Sequence, residues 1–90
     1  MPHVRFTSAL QRFFPALEDG DFEGVTVAEI LVQIEKRYPG MSDYLMDERG
    51  ALRKHVNVFV SNRMIQDRTA LSDVLADDAE MCIFQALSGG

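Results

Sequence analysis

Few side chains in this sequence are spaced for chemistry. The single cysteine, Cys82, lies between Met81 and Ile83, with no base or cation beside it to lower its thiol pKa, so it reads as an inert thiol. One cysteine forms no internal disulfide, and His3 and His55 show no ligand spacing around it, so no structural metal is expected. His55 reads as a solvated residue preceding a strand. Asp43, Asp47 and Glu48 contain the carboxylates of an acid/base pair without any sign of a cleft, and read as a solvated face. Arg63 and Arg68 read as surface charge or as contacts to an acidic partner surface. The remaining feature is Gly89-Gly90, where the sequence stops. A terminal glycine carboxylate has no Cβ beside the reacting carbon, so it can pass along a narrow channel. Extended, Leu87 to Gly90 reach roughly 13 to 14 Å, enough to enter a partner's site.

Such a tail needs a body to present it. The sequence has 90 residues, which predicts one small domain. A chain of this size buries only roughly 60 to 65% of its unfolded surface, so most apolar residues must share one core. At 47% hydrophobic and 26% charged it supplies that core and does not resemble a disordered chain. Its apolar runs, such as Val58-Phe59-Val60, fall far below the roughly 20 residues of a membrane helix. Met1-Pro2-His3-Val4-Arg5 lacks the charged and long apolar regions of a secretory signal, so a cytoplasmic protein is expected. A net charge of −5 with nine scattered basic residues disfavours nucleic acid.

Val4 to Ser8 alternates with period two and predicts a first strand. Ala9 to Phe14 reads as a connection leaning on the core through some of Leu10, Phe13, Phe14 and Leu17, broken by Pro15. Phe22-Glu23-Gly24-Val25 predicts a short edge strand. Thr26-Val27-Ala28-Glu29 is a capping box, and Val27, Ile30, Leu31, Ile34 and Tyr38 form one apolar stripe on the helix it starts, which Pro39-Gly40 ends. Tyr44-Leu45-Met46 reads as a short helical turn and Glu48-Arg49-Gly50 as a turn. His55 to Val60 predicts the third strand, Ser61-Asn62-Arg63 its reversal, and Met64 to Gln66 a fourth strand. Thr69 to Leu75 reads as a single helical or 3₁₀ turn, Asp77-Asp78 as a turn, and Glu80 to Ala86 as the last strand.

Two strands, a helix and further strands give an α+β fold of two layers. The order predicts a β-grasp roll: a mixed sheet of four to five strands with one main helix packed across it. A β-grasp body over 1–86 would carry a flexible tail over 87–90. If Val56, Val58 and Val60 face the core, Phe59 points outward; if Met81 and Ile83 face it, Cys82 and Phe84 point outward. Phe59 and Phe84 would then form an exposed aromatic patch, a common mark of protein interfaces.

In that setting, Ala86-Leu87-Ser88-Gly89-Gly90 resembles the ending of the ubiquitin-like sulfur carriers, the family of the molybdopterin synthase small subunit and the thiamine sulfur carrier. Thr26 to Leu31, Val56 to Val60 and Asp78 to Phe84 carry the rest of the resemblance, which covers nearly the whole chain. Two stretches depart from the family pattern: Asp77-Asp78-Ala79-Glu80 lacks the glycine of the usual Asp-Gly-Asp-Glu turn, and Gln85-Ala86 stand where the molybdopterin synthase subunit has prolines. The resemblance implies that the Gly90 carboxylate, preceded by Gly89, is adenylated and thiolated by a partner and then donates sulfur to a biosynthetic pathway (molybdopterin, thiamine, cysteine or similar). It also implies a partner-binding surface at Phe59 and Phe84, with Leu87 and Ser88 of the tail beside it. The implied partners are an E1-like adenylating enzyme, a sulfur donor protein and an acceptor enzyme. The chain has neither a Gly-rich loop followed by Lys-Ser or Lys-Thr nor a dinucleotide fingerprint, so it is expected to bind no cofactor, with ATP on the adenylating partner, and not to be an enzyme by itself. A ubiquitin-like modifier conjugated through Gly90, and a β-grasp interaction domain without tail chemistry, stand as alternatives.

Overall fold

The sequence alternates exposed and buried residues from its start: in strand β1 (His3–Phe6), Val4 and Phe6 turn inward while His3 and Arg5 face solvent. The computed structural model describes residues 1–85. The expected tail, with Leu87, Ser88, Gly89 and Gly90, lies outside the described residues.

Beyond Phe6 the chain folds into helix α1 (Ser8–Phe13) rather than an irregular connection. Ser-Ala-Leu-Gln-Arg-Phe is rich in helix formers, but six residues are too few to show a stripe, and Leu10 is the one residue of the helix that is buried. Leu10 and Leu17 join the core as expected, whereas Phe13 remains 61% exposed. Strand β2 is shorter and earlier than expected, Gly20–Asp21 instead of 22–25, pairing antiparallel with β1 as His3↔Asp21 and Val4↔Gly20. Phe22, expected in that strand, instead fills the core and meets Phe6 edge to face at 6.3 Å.

Helix α2 (Val27–Arg37) starts at the expected residue. The Glu29 amide donates to the Thr26 hydroxyl at 3.2 Å, and the Glu29 carboxylate accepts from the Val25 amide at 2.9 Å. Two further amides at this helix end, those of Val27 and Ala28, donate to the carbonyls of Asp73 and Leu71. Val27, Ile30, Leu31 and Ile34 are all buried. Helix α3 (Met41–Leu45) follows, beginning three residues before the expected turn. The Glu35 carboxylate joins the two helices by accepting from the Gly40 amide at 3.0 Å and the Ser42 amide at 2.7 Å, and these bonds hold its pKa below the usual value.

Strand β3 (Val56–Val60) and strand β4 (Arg63–Met64) form a hairpin through Ser61 and Asn62, both at positive φ (49° and 70°). Two left-handed residues are what a two-residue hairpin needs to match the twist of its strands, and Asn tolerates that conformation. The expected strand 64–66 therefore begins and ends earlier, and Ile65 turns into the core. Residues 69–75 form no helical or 3₁₀ turn: a turn at 68–70 leads to Leu71 at φ 58°, and Val74 bridges Thr26. Strand β5 (Glu80–Gln85) closes the sheet.

The sheet order is β2-β1-β5-β3-β4, with β1 and β5 parallel and the other pairs antiparallel. This is the expected mixed β-grasp sheet with its last strand in the middle. Val4, Phe6, Val56, Val58, Met81 and Ile83 from the sheet and the stripe of α2 belong to one core cluster. Among the described residues, no helix is long and apolar enough to cross a membrane.

Candidate functional site

Burial of Met81 and Ile83 on β5, and of Val56 and Val58 on β3, forces their neighbours onto the other face of the sheet. Phe84 is 43% exposed and Phe59 half-buried. The register sets Phe59 opposite Cys82 and Asn57 opposite Phe84, so the two phenylalanines are diagonal neighbours across the β3/β5 pair. Their rings meet edge to face, with centroids 5.4 Å apart and planes at 82°. Around them lies an open concavity of about 570 Å³ lined by Asn57, Phe59, Asn62, Cys82, Phe84 and Gln85. The sequence phase thus places Phe59 and Phe84 together on one apolar surface, next to the strand end that leads to Gly90.

Arg68 sits at the margin of this surface, but it is not a free charge awaiting an acidic partner. Its guanidinium donates to Asn57 Oδ1 at 3.0 Å and to the carbonyls of Val56 and Arg53, each at 2.7 Å. These bonds fix Asn57 in the lining and tie the loop after β4 to the start of β3. Arg63 is exposed on β4. Sequence reasoning missed the Arg68 staple because its partners are mainly main-chain oxygens distant in sequence.

Cys82 forms part of the floor. Burial raises its pKa, and the nearby Glu80 carboxylate raises it further, keeping the thiol protonated. It makes a patch of the apolar lining rather than a nucleophile. The Asp47 carboxylate accepts from the Arg49 and Ala51 amides at 2.8 and 3.1 Å and so holds a turn, while the Arg53 guanidinium donates to the Asp43 carbonyl. Asp43 and Glu48 are exposed, as is His55. Among the described residues, no group of three or more His, Cys, Asp or Glu is arranged to hold a metal ion.

A second feature went unread in the sequence. The Tyr44 hydroxyl of α3 donates to Gln85 Oε1 at 2.6 Å, at the last residue of β5. Its ring packs between Phe13 and Phe14, with centroids 5.1 and 5.7 Å away.

Comparison with known proteins assigns this architecture. The ThiS family model matches residues 4–90. The sulfur carrier protein CysO of Mycobacterium tuberculosis (strain ATCC 25618 / H37Rv) is 30% identical over 69 residues, covering 74% of each chain. Among solved structures, the Amycolatopsis orientalis BexX/CysO complex contains a chain that superposes with a TM-score of 0.85 at 24% identity, over 100% of both chains. SAMP1 from Haloferax volcanii superposes with a TM-score of 0.76 at 21% identity, over 98% of this chain and 97% of that one. These structural likenesses establish the ubiquitin-like β-grasp fold, and the family match runs through the diglycine. The chain belongs to the ThiS family of sulfur carrier proteins.

Proposed function

We propose that the Gly90 carboxylate is the sulfur-carrying group and that the folded body is the handle by which other proteins grip it. The observation that carries this reading is a family match that continues through Gly89 and Gly90. A carboxylate is a poor electrophile at neutral pH, so the chemistry begins on a separate adenylating enzyme. There a carboxylate oxygen attacks the α-phosphorus of ATP and pyrophosphate leaves. The outer sulfur of a persulfide on a sulfur donor protein then attacks the acyl carbon and AMP departs; a thiol cleaves the resulting acyl disulfide, itself ending in a disulfide with the donor, and Gly90 is left as a thiocarboxylate. That thiocarboxylate is the nucleophile delivered to an acceptor enzyme making a small sulfur-containing product. ATP binds the partner, and this chain acts as carrier and substrate in the cytoplasm rather than as an enzyme.

Phe59 and Phe84 supply the contact surface in this reading, with Leu87 and Ser88 accompanying the diglycine into the partner's channel. The exposed edge-to-face pair supports the assignment, because aromatic side chains in an apolar depression are efficient anchors for a partner. The fold shared with SAMP1 favours one second reading, a modifier that transfers the activated Gly90 to lysine amines. Deleting Gly90 tests what both readings share. Thiolation and conjugation should disappear while the thermal melt stays unchanged, since the core lies within the described residues. A deleted chain thiolated like the full one would overturn the assignment.

A further inference from the structure

We propose that Tyr44 is a positioning residue that fixes the point from which the reactive tail leaves the body, an inference that rests on the carrier reading above. Strand β5 is held on both sides as far as Ile83, where its pairing with β1 ends at Phe6. Phe84 and Gln85 retain pairing on the β3 side, opposite Asn57 and Val56. The lateral support lost from β1 is replaced by a side chain: the Tyr44 hydroxyl donates to Gln85 Oε1 at 2.6 Å. Gln85 shares the parity of Met81 and Ile83, so it points toward the helical layer where α3 lies.

The tyrosine is itself braced. Phe13 and Phe14, at the end of α1, contact its ring at centroid distances of 5.1 and 5.7 Å, the latter edge to face at 79°. This bracing limits the freedom of the hydroxyl, so the bond to Gln85 forms at little entropic cost. Gln85 precedes Gly90 by five residues, so any splay at the strand end is carried along the segment that must enter an active site. The latch keeps that origin fixed against the body, raising the fraction of docked complexes in which the carboxylate reaches its nucleotide. Tyr44 lies outside the lining of the outer concavity, whereas Gln85 borders it, so Tyr44 is the half of the latch that can be altered without touching the docking surface.

The test uses Tyr44→Phe, which keeps the ring and removes the hydroxyl, and Gln85→Met, which keeps the length and removes the acceptor. With the adenylating partner and ATP, each variant should lower kcat for tail activation by roughly two- to tenfold, the span of one neutral hydrogen bond. KM for the carrier should stay unchanged in Tyr44→Phe, whose side chain does not line the docking concavity. The double variant should be no slower than the slower single variant, because both remove one interaction. Amide hydrogen exchange at Gln85 should accelerate in Tyr44→Phe by a similar factor in the free protein, without any change in global melting. Additive losses in the double variant, a change confined to KM in Tyr44→Phe, or wild-type exchange at Gln85 in Tyr44→Phe would each overturn the latch. If the wild-type chain is never activated, the carrier reading falls, and exchange at Gln85 by itself decides for or against the latch.

Discussion

Asp67 illustrates how one side chain can organise the loop that borders the aromatic surface. Its carboxylate accepts from the Ser72 hydroxyl and from the amides of Thr69, Ala70 and Ser72. The Ser72 hydroxyl, followed by the Ala70 and Ser72 amides, holds its pKa well below the ordinary 3.8. In the same loop the carbonyls of Leu71 and Asp73 accept from the Ala28 and Val27 amides at the start of α2, and Arg68 pins Asn57 beside the aromatic pair. A carboxyl whose pKa is lowered on folding stabilises the native state fully above its unfolded value and loses that contribution as pH falls below it. Asp67→Asn should therefore lower the melting temperature at pH 7 and flatten its fall below about pH 4. A melting profile against pH that superposes on the wild type would contradict this role. Nothing about Asp67 marked it in the sequence, because its partners are one hydroxyl and three main-chain amides of a loop with no periodic pattern.

At the scale of elements, legibility followed length and periodicity. Helix α2 was readable because a capping box and a four-residue buried stripe point to the same start and the same face. Strands β3 and β5 were readable because alternation over five and six residues fixes which side chains go in. Helix α1 and strand β2 were not, since six and two residues offer too few repeats to separate a helix from a loop or set a register. The cap of α2 is also shared. Thr26 satisfies Glu29, whereas Val27 and Ala28 depend on carbonyls from a loop more than forty residues away. Thr26→Ala should cost about 1 kcal/mol in denaturant unfolding, the usual loss for one capping hydroxyl. A cost near zero would mean that the distant carbonyls and the Glu29 contact to Val25 already secure the helix start.

Across the whole molecule, the two faces of one sheet differ in character. The inner face pairs with α2 to make the core, and the outer face carries Phe59, Phe84 and the shallow concavity. That phenylalanines would share a face was legible from strand parity. That they touch was not, because contact depends on the diagonal register of β3 against β5. The Tyr44 latch was likewise invisible, as it joins α3 to the end of β5 across 41 residues. Because Phe84 is 43% exposed, its loss should cost the fold little and, under the proposed function, the contact with the adenylating partner much. Phe84→Ala should weaken binding to the adenylating partner by about tenfold or more, as expected for an aromatic anchor, with nearly unchanged melting. Titration calorimetry against that partner would contradict the assignment if the variant bound as tightly as the parent.

Sulfur loading at Gly90 changes the mass of the protein by a fixed amount, which intact mass spectrometry reads. The protein is incubated with native cell extract, a sulfur donor and ATP, alongside a sample without ATP. A sulfur carrier shows an ATP-dependent gain equal to exchanging one oxygen for sulfur, confined to the peptide ending in Gly90. An unchanged mass, or a sulfur gain that maps elsewhere in the chain, would contradict that role.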